Sequence, residues 1–298
     1  MKQKDTACVV FYTDERYDEL VDNVRNSFLS FNGEECDFYQ IDYTNQEQYN
    51  KELKYFEYAP ETFIMQYVYA YEVMRKYNYK KVIILGSDTL ICSRLDEFLD
   101  DNTTPVLATL NYPCQESTDR WVTPIVEVTL ENGQVVRDSM NINADVACFN
   151  SHEALKKVIE LSIEHYTHYS IQGGLNDLAW TDKSYRVKVV DAPYPLSKVS
   201  YNCRSKGVFG TDMIVKGKLA KHGPLDGQPS PIMKWYTDND KLYTQDHKQI
   251  KVFHFVEGLG GRPDDKFYEL LNDFKTNWFN KETLEFFRNK CGCAKFFN

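Results

Sequence analysis

Short apolar runs recur along this chain, and longer stretches with helical periodicity separate them. Residues 81–85 (KVIIL) and 144–149 (ADVACF) are examples of such runs. A nearly continuous apolar run is typical of a strand that is buried on both faces of a sheet. With 42% hydrophobic and 14% aromatic residues, the chain can form a sizeable core. The alternation therefore predicts a layered α/β fold.

The predicted fold class is α/β, with a mixed, mostly parallel central sheet flanked by helices. We expect strands at residues 7–12, 37–41, 81–85, 105–110, 144–149 and 252–255. We expect helices with apolar stripes over residues 20–31, 61–74 and 155–162, and C-terminal helices at 264–274 and 281–288. Asn132-Gly133 predicts a tight hairpin turn, whereas residues 201–234 predict a long irregular segment over the sheet.

The net charge of −9 comes from 35 basic and 44 acidic residues that are scattered along the chain. A surface of this kind repels a polyanion, so nucleic acid is not an expected partner. An anionic substrate would need a divalent cation or local basic residues to offset its charge. We expect neither a membrane span nor a signal peptide, and the eight cysteines include no Cys-x-x-Cys. We therefore expect a cytoplasmic protein with free thiols.

Polar residues directly follow several predicted strands. In open α/β sheets, ligands bind beyond the carboxyl ends of the strands, so these residues are the candidates for a site. Four places qualify: they lie in residues 12–17 (YTDERY), in 86–88 (GSD), in 143–145 (NAD), which lead into a later strand, and in 254–258 (HFVEG). A further motif, 172–176 (QGGLN), stands at a predicted helix start between the last two.

The order and spacing of these motifs resemble the GT-A fold of nucleotide-sugar glycosyltransferases, most closely the glycogenin-like and lipopolysaccharide-galactosyltransferase-like branch (family 8-like). The resemblance spans nearly the whole chain. The family patterns are Thr-Asn/Asp-x-x-Tyr, Asp-x-Asp, Asn-Ala-Gly, Asp-Gln-x-x-Leu-Asn and His-Phe-x-Gly, in that order.

The resemblance implies a role for each matching residue. The nucleotide and donor contacts would come from Thr13, Asp14, Tyr17, Ser87, Asp88 and Gly258. Mn²⁺ or Mg²⁺ would be held by Asp88 and His254. The catalytic residues would be Gln172 and Asp145.

Each of these residues also has a purely structural interpretation. Asp88 is suited to capping a turn, and His254, flanked by two phenylalanines, to packing in a core. Gln172 is suited to hydrogen bonding at a helix start, and Asp145 to accepting backbone N–H groups. Thr13 and Tyr17 also fit a plain strand end and helix face.

Three positions depart from the family patterns. Gly86 replaces the first aspartate of Asp-x-Asp, which puts metal use in question, and Ile171 replaces the aspartate before Gln172. Asp145 stands where the family often has glycine and is a candidate for the missing carboxylate. The family's basic donor-binding residue has no counterpart in residues 61–74, so Arg75 or Arg16 would have to serve.

The function implied is transfer of a sugar from a nucleotide-diphosphate donor, UDP-sugar preferred, to an acceptor hydroxyl on a carbohydrate or protein-linked glycan. A catalytically silent nucleotide- or carbohydrate-binding relative is one alternative, and a sugar nucleotidyltransferase is another. We expect one domain over residues 1–298, with a nucleotide-binding half at about 1–110, an acceptor-side half at about 111–263, and C-terminal helices at 264–298. A homodimer is a possible assembly.

Overall fold

A computed structural model describes most of the chain. The described residues are 4–49, 62–110, 123–129, 133, 135–164, 170–192, 196–201, 203–204, 235–244, 247–254, 279–295 and 297. The predicted helix at 264–274, the site residue Gly258 and most of the predicted irregular segment at 201–234 lie outside them.

The strands and helices alternate in the first half of the chain. The strands are β1 (Thr6–Phe11), β2 (Cys36–Ile41), β3 (Lys81–Leu85), β4 (Thr89–Ile91), β5 (Val106–Leu110), β6 (Ile125–Thr129), β7 (Val135–Ser139), β8 (Ile142–Phe149), β9 (Val187–Val189), β10 (Val199–Ser200), β11 (Cys203–Arg204), β12 (Trp235–Asp238), β13 (Lys241–Thr244), β14 (Gln249–Ile250) and β15 (Val252–His254). The helices are α1 (Asp18–Asn32), α2 (Thr62–Lys76), α3 (Asp96–Asp100), α4 (His152–Glu164), α5 (Ser170–Asp177) and α6 (Lys281–Asn289), with a 3-10 turn at Glu15–Tyr17 and a π-helical turn at Leu178–Asp182.

The central sheet has six strands in the order β2-β1-β3-β8-β5-β9. β8 runs antiparallel to both of its neighbours, β3 and β5, and the other neighbouring pairs are parallel. The predicted class, α/β with a mixed, mostly parallel sheet flanked by helices, is confirmed. Because β1, β3 and β5 are parallel, their carboxyl ends lie at one edge of the sheet, and β8 begins at that edge.

Helices cover both faces of the sheet, and for this reason its strands are continuous apolar runs in the sequence. Along β1, Ala7 and Val9 face a core that contains buried residues of α2, α4 and α5, whereas Cys8 and Val10 face the core formed with α1. The helical stripe predicted after β1 is confirmed, since four of its residues are buried: Leu20, Val21, Val24 and Phe28.

A bulge interrupts β8 near its start. Against β5, Ala147 pairs with Ala108, but the next step along β5, Thr109, pairs with Asn143. The intervening residues of β8 have no matching residues on β5, which is how a bulge re-aims side chains. Ala144 and Ala147, three residues apart, consequently face the same core. The bulge contains Asp145.

A third core lies under three smaller strands and the end of the chain. In this sheet, of order β11-β15-β4, β15 is antiparallel to β4, and Phe253 pairs with Leu90. Buried aromatic residues of α6 and its surroundings pack there: Trp235, Phe279, Phe286, Phe287 and Phe297. The predicted helix at 281–288 is confirmed as α6, and Cys291 and Cys293 are free thiols in the same core.

Two local sequence motifs, the N-cap at Ser151 and the hairpin around Asn132-Gly133, can be compared with the structure. Ser151 accepts a hydrogen bond from the Ala154 backbone N–H at 3.1 Å, as expected of the N-cap of α4. The predicted hairpin exists as β6 and β7, and Gly133 has a φ of +81°. Of the Asn132-Gly133 turn itself, only Gly133 is among the described residues, so the tight turn stays a prediction. Within the described ranges, no helix combines the length and apolar character needed to cross a membrane.

Lys81 is a buried cation at the start of β3, and its side chain closes the end of α3. Its Nζ donates to the carbonyl oxygens of Phe98, Leu99 and Asp101 at 2.6, 2.7 and 3.0 Å. Carbonyls at a helix end lack helical partners, so the ammonium satisfies acceptors that would otherwise be buried and unpaired. Burial lowers the pKa of Lys81.

Replacing this ammonium should destabilise the protein. Lys81→Met leaves three carbonyls without their donor, and we expect the free energy of unfolding to fall by about 3 kcal/mol. Lys80→Met is the matched control: the neighbouring Lys80 is 77% exposed and pairs with Asp5, so its loss should change the value by less than about 1 kcal/mol. Urea denaturation measures both. Equal effects of the two substitutions would contradict this role for Lys81.

Candidate active site

The residues after β3 and the first residues of β8 meet at the carboxyl edge of the sheet. Gly86 follows β3, and its backbone N–H donates to the Asp145 carbonyl at 2.7 Å. Thr89 turns the chain back, because its hydroxyl donates to the Gly86 carbonyl at 2.8 Å. From α2, the Gln66 amide donates to the Leu85 carbonyl at 2.6 Å. These bonds fix the backbone on both sides of Ser87 and Asp88.

His254 reaches this turn from the other end of the chain. It is the last residue of β15 and pairs with Thr89 of β4, next to Asp88. Its Nε2 lies 3.0 Å from the Asp88 Oδ1 and 3.8 Å from the Asp145 Oδ2. The His254 side chain is 2% exposed, whereas those of Asp88 and Asp145 are 23% and 33% exposed. The site is therefore a buried imidazole beneath two carboxylates that solvent reaches.

The bulge in β8 positions Asp145. Its backbone N–H donates to the Asn143 Oδ1 at 2.8 Å, and the Asn143 amide lies 3.4 Å from its Oδ2. The Tyr67 hydroxyl donates to the Ala144 carbonyl at 2.7 Å, so α2 supports the bulge as well as the end of β3. Asn143 and Tyr67 are thus positioning residues for this carboxylate.

Gln172 lies on α5, beside the start of β8. Its amide lies 3.4 Å from the Asn141 Oδ1. One turn later, Asn176 joins the helix to the strand: it accepts from the Ile142 N–H and donates to the Ile142 carbonyl, both at 3.0 Å. Ile171 is buried in the core. The structure therefore brings Gln172 to the strand that carries Asp145, and it places an apolar core residue where the family pattern has aspartate.

The predicted nucleoside element lies at the end of β1, one strand from Asp88. Thr13 is exposed, and Tyr17 is half-buried with its ring 6.5 Å from that of Tyr12. Asp14 caps the 3-10 turn, since it accepts from the Arg16 backbone N–H at 2.9 Å. The Arg16 guanidinium also donates to Asp14, with Nε at 2.8 Å.

Of the two basic candidates, only Arg16 lies at this edge. Arg75 is nine residues after Gln66 along α2, which corresponds to about 13 Å toward the opposite edge of the sheet. There it pairs with Glu72 at 3.5 Å.

The Asp88–His254 pair has the chemistry of a divalent-cation site. A carboxylate oxygen and an imidazole nitrogen are ligands that Mn²⁺ accepts. Two ligands on adjacent corners of an octahedron, each about 2.1 Å from the ion, are about 3 Å apart. The 3.0 Å contact of His254 with Asp88 is a hydrogen bond, and its length also equals the spacing of two such ligands. Across the described ranges, no group of three or more histidine, cysteine, aspartate or glutamate side chains is already arranged to hold a metal ion.

A buried carboxylate at the same edge is not among the residues predicted from the sequence. Asp191, just after β9, accepts backbone N–H bonds from Leu110 at 2.8 Å and from Tyr201 at 2.9 Å. Burial raises its pKa to about 6, and nearby Lys248 and the two N–H donors act in the opposite direction. Asp191 thereby ties the end of β5 to the segment that follows β10. Asp191 follows β9 by two residues. Because β9 is short and contains the exposed Lys188, nothing in the sequence indicated that Asp191 is buried.

Comparisons with known proteins find similarity only at low sequence identity. No protein-family model matches the sequence, and no curated protein matches it. Among solved structures, the chain is similar to the bifunctional glycosyltransferase WbbM, with 12% identity, a TM-score of 0.49, and coverage of 99% of this chain and 52% of WbbM. The chain thus spans about half the length of that protein.

Two further similar structures cover the chain more evenly. One is a glycosyltransferase involved in glycosylation of the major capsid of PBCV-1, with 12% identity, a TM-score of 0.48, and coverage of 90% and 98% of the two chains. The other is the galactosyltransferase LgtC with donor and acceptor sugar analogues, with 14% identity, a TM-score of 0.43, and coverage of 95% and 99%.

The raised pKa of Asp191 predicts a pH dependence of stability. Between its usual pKa of 3.8 and about 6, the folded protein binds a proton that the unfolded chain has released. This group's contribution to the free energy of unfolding therefore falls as pH rises through that window, by roughly 3 kcal/mol at most, and is constant above it.

Urea denaturation from pH 4 to 7 checks this dependence. Asp191→Asn should lack this fall, so its stability relative to wild type should rise with pH. Asp22→Asn, on the exposed face of α1, is the control and should follow the wild type. A constant difference between Asp191→Asn and wild type at every pH would contradict the assignment.

Proposed function

We propose that this chain is a glycosyltransferase that moves a sugar from a nucleotide-diphosphate donor to an acceptor hydroxyl on a carbohydrate or protein-linked glycan. UDP is the preferred nucleotide, on the basis of the sequence resemblance. The observation that carries the proposal is the contact between Asp88 and His254. These residues are 166 positions apart, yet they meet at 3.0 Å at the carboxyl edge of the sheet.

A cation at Asp88 and His254 would meet the main electrostatic requirement of the reaction. The donor diphosphate is anionic, and the protein has a net charge of −9. When bound, Mn²⁺ or Mg²⁺ would neutralise the diphosphate and act as a Lewis acid toward the leaving group. Asp88 would supply a hard oxygen ligand and His254 a nitrogen ligand. The partial exposure of Asp88 leaves it accessible to a donor from solvent.

The sheet topology supports the expected positions of the donor's nucleoside and diphosphate along the carboxyl edge of the sheet. β1 and β3 are adjacent and parallel, so their carboxyl ends lie about 5 Å apart in the sheet direction. We assign Thr13, Asp14 and Tyr17 to the nucleoside, with Arg16 as the nearby basic residue. Ser87 and Asp88 would then face the diphosphate. This order matches a donor that extends from β1 toward β8.

The sugar would lie toward β8 and α5. Asp145 is one-third exposed and adjacent to His254, and Gln172 lies against Asn141 at the start of the same strand. We assign Asp145 and Gln172 to contacts with the donor sugar or the metal site. Gly258, also expected at the donor, lies outside the described residues and stays a prediction.

A catalytically silent binding protein is the second candidate. It is favoured by Gly86 and by Ile171, which is 4% exposed and packed in the core. The carboxylate that the family carries before the glutamine is thus replaced by an apolar residue. A sugar nucleotidyltransferase is less suited, because no glycine-rich phosphate loop follows β1.

UDP release from a panel of UDP-sugars with Mn²⁺ tests the proposal. We expect Asp88→Asn, which keeps the shape of the side chain but removes its charge, to lower the rate more than about tenfold, or about 1.4 kcal/mol in barrier. Asp5→Asn, before β1 at the opposite edge of the sheet, is the control and should retain the wild-type rate.

Two results would count against the proposal. A folded Asp88→Asn variant that keeps more than a tenth of the rate would remove Asp88 from the reaction. Wild-type protein that binds UDP but releases none from any donor, with or without acceptor sugars, would favour the silent binding protein.

A further inference from the structure

Gly86 and Asp145 compete for one space. A Cβ added at Gly86 would lie 3.1 Å from the Asp145 Cβ and 3.1 Å from the Asp88 Oδ1. Such distances are shorter than ordinary contact between side chains, so one of the neighbours would have to move. Because the Gly86 N–H is bonded to the Asp145 carbonyl at 2.7 Å, the two backbones cannot separate without losing that bond. A side chain at position 86 therefore requires Asp145 or Asp88 to shift by a few tenths of an ångström.

The same two positions depart from the family pattern in opposite senses. The resemblance expects aspartate at position 86 and often glycine at position 145, and this chain has glycine and aspartate respectively. One carboxylate is lost after β3, and one is gained on the facing strand. The contact between Gly86 and Asp145 shows that the gained carboxylate begins in the space next to the lost one.

We propose that Asp145 supplies the carboxylate that Gly86 lacks, so that Asp88, Asp145 and His254 form the cation site. This inference rests on the proposed function, since it concerns the same site. It assigns Asp145 to the metal rather than to the sugar. It also resolves the metal question raised by Gly86: the carboxylate has moved from the end of β3 to the bulge of β8.

The position of Asp145 suits this role. Its Oδ2 lies 3.8 Å from the His254 Nε2, and rotation about its Cα–Cβ bond changes that distance without moving the backbone. The carboxylate is one-third exposed, so a ligand can reach it. Its backbone is fixed by the bonds to Gly86 and Asn143. The strand therefore holds the residue, while the carboxylate turns toward an ion.

The proposal that the carboxylate has been exchanged from position 86 to position 145 is called the exchange below. It is tested by measuring the binding of Mn²⁺ in the presence of UDP. The signal of free Mn²⁺ in electron paramagnetic resonance gives the affinity without reference to turnover. We expect Asp145→Gly to weaken binding by about tenfold or more, which is the loss typical of perturbed metal sites. Adding Gly86→Asp to Asp145→Gly should restore most of the affinity, because the carboxylate returns to the facing position.

Two control variants separate the effect of filling the space at position 86 from the effect of placing a carboxylate there. Gly86→Ala in the Asp145→Gly background fills the space without a carboxylate and should leave binding weak. Gly86→Asp alone should lower the Tm, because its side chain meets Asp145, and the double variant should recover the Tm. The Tm comparison is informative even if the protein binds no metal.

The outcomes are distinct. If folded Asp145→Gly binds Mn²⁺ as tightly as wild type while Asp88→Asn loses binding, the exchange is wrong and the proposed function stands. If the folded double variant binds no better than Asp145→Gly or its alanine control, the exchange is also wrong. If wild-type protein binds no Mn²⁺ with UDP, the cation of the proposed function fails, and the exchange fails with it.

Discussion

The pairing of β4 with β15 is the constraint on which the candidate site depends. β4 follows the central strand β3 after a three-residue turn, and β15 lies more than 160 residues later. Their antiparallel register sets His254 opposite Thr89 and thereby beside Asp88. Phe253, the neighbour of His254, points into the third core against Trp235 and Phe279. The apolar packing of that core thus fixes the imidazole at the edge of the main sheet.

The reversed strand β8 supplies the second half of the site. Because β8 is antiparallel to its neighbours, it begins where they end, and its first residues share the edge with the turn after β3. A regular strand would have kept strict alternation, whereas the bulge shifts the register against β5 between Ala108 and Thr109, in the segment that contains Asp145. The bulge is supported from α2 by Tyr67 and from α5 by Asn176 through Ile142. Two helices on one face of the sheet therefore hold the strand segment that carries Asp145.

The central strands and amphipathic helices could be predicted because burial on both faces leaves a continuous apolar run, as in β3 and β8. The short strands β4 and β9 to β14 were missed, because strands of two to four residues carry too little periodicity to identify. Motif order led to Asp88 and His254, but no sequence signal gives their distance, which depends on long-range strand pairing. The steric competition between Gly86 and Asp145, and the burial of Asp191, likewise arise only from tertiary packing.

The most direct measurement is a crystal structure of the protein with UDP and Mn²⁺, using anomalous scattering to locate the metal. We expect an anomalous peak about 2.2 Å from a carboxylate oxygen of Asp88 and the Nε2 of His254, with Asp145 turned toward it and the diphosphate completing the coordination. A structure in which UDP binds at this edge while the Asp88–His254 hydrogen bond persists and no peak lies between them would contradict it.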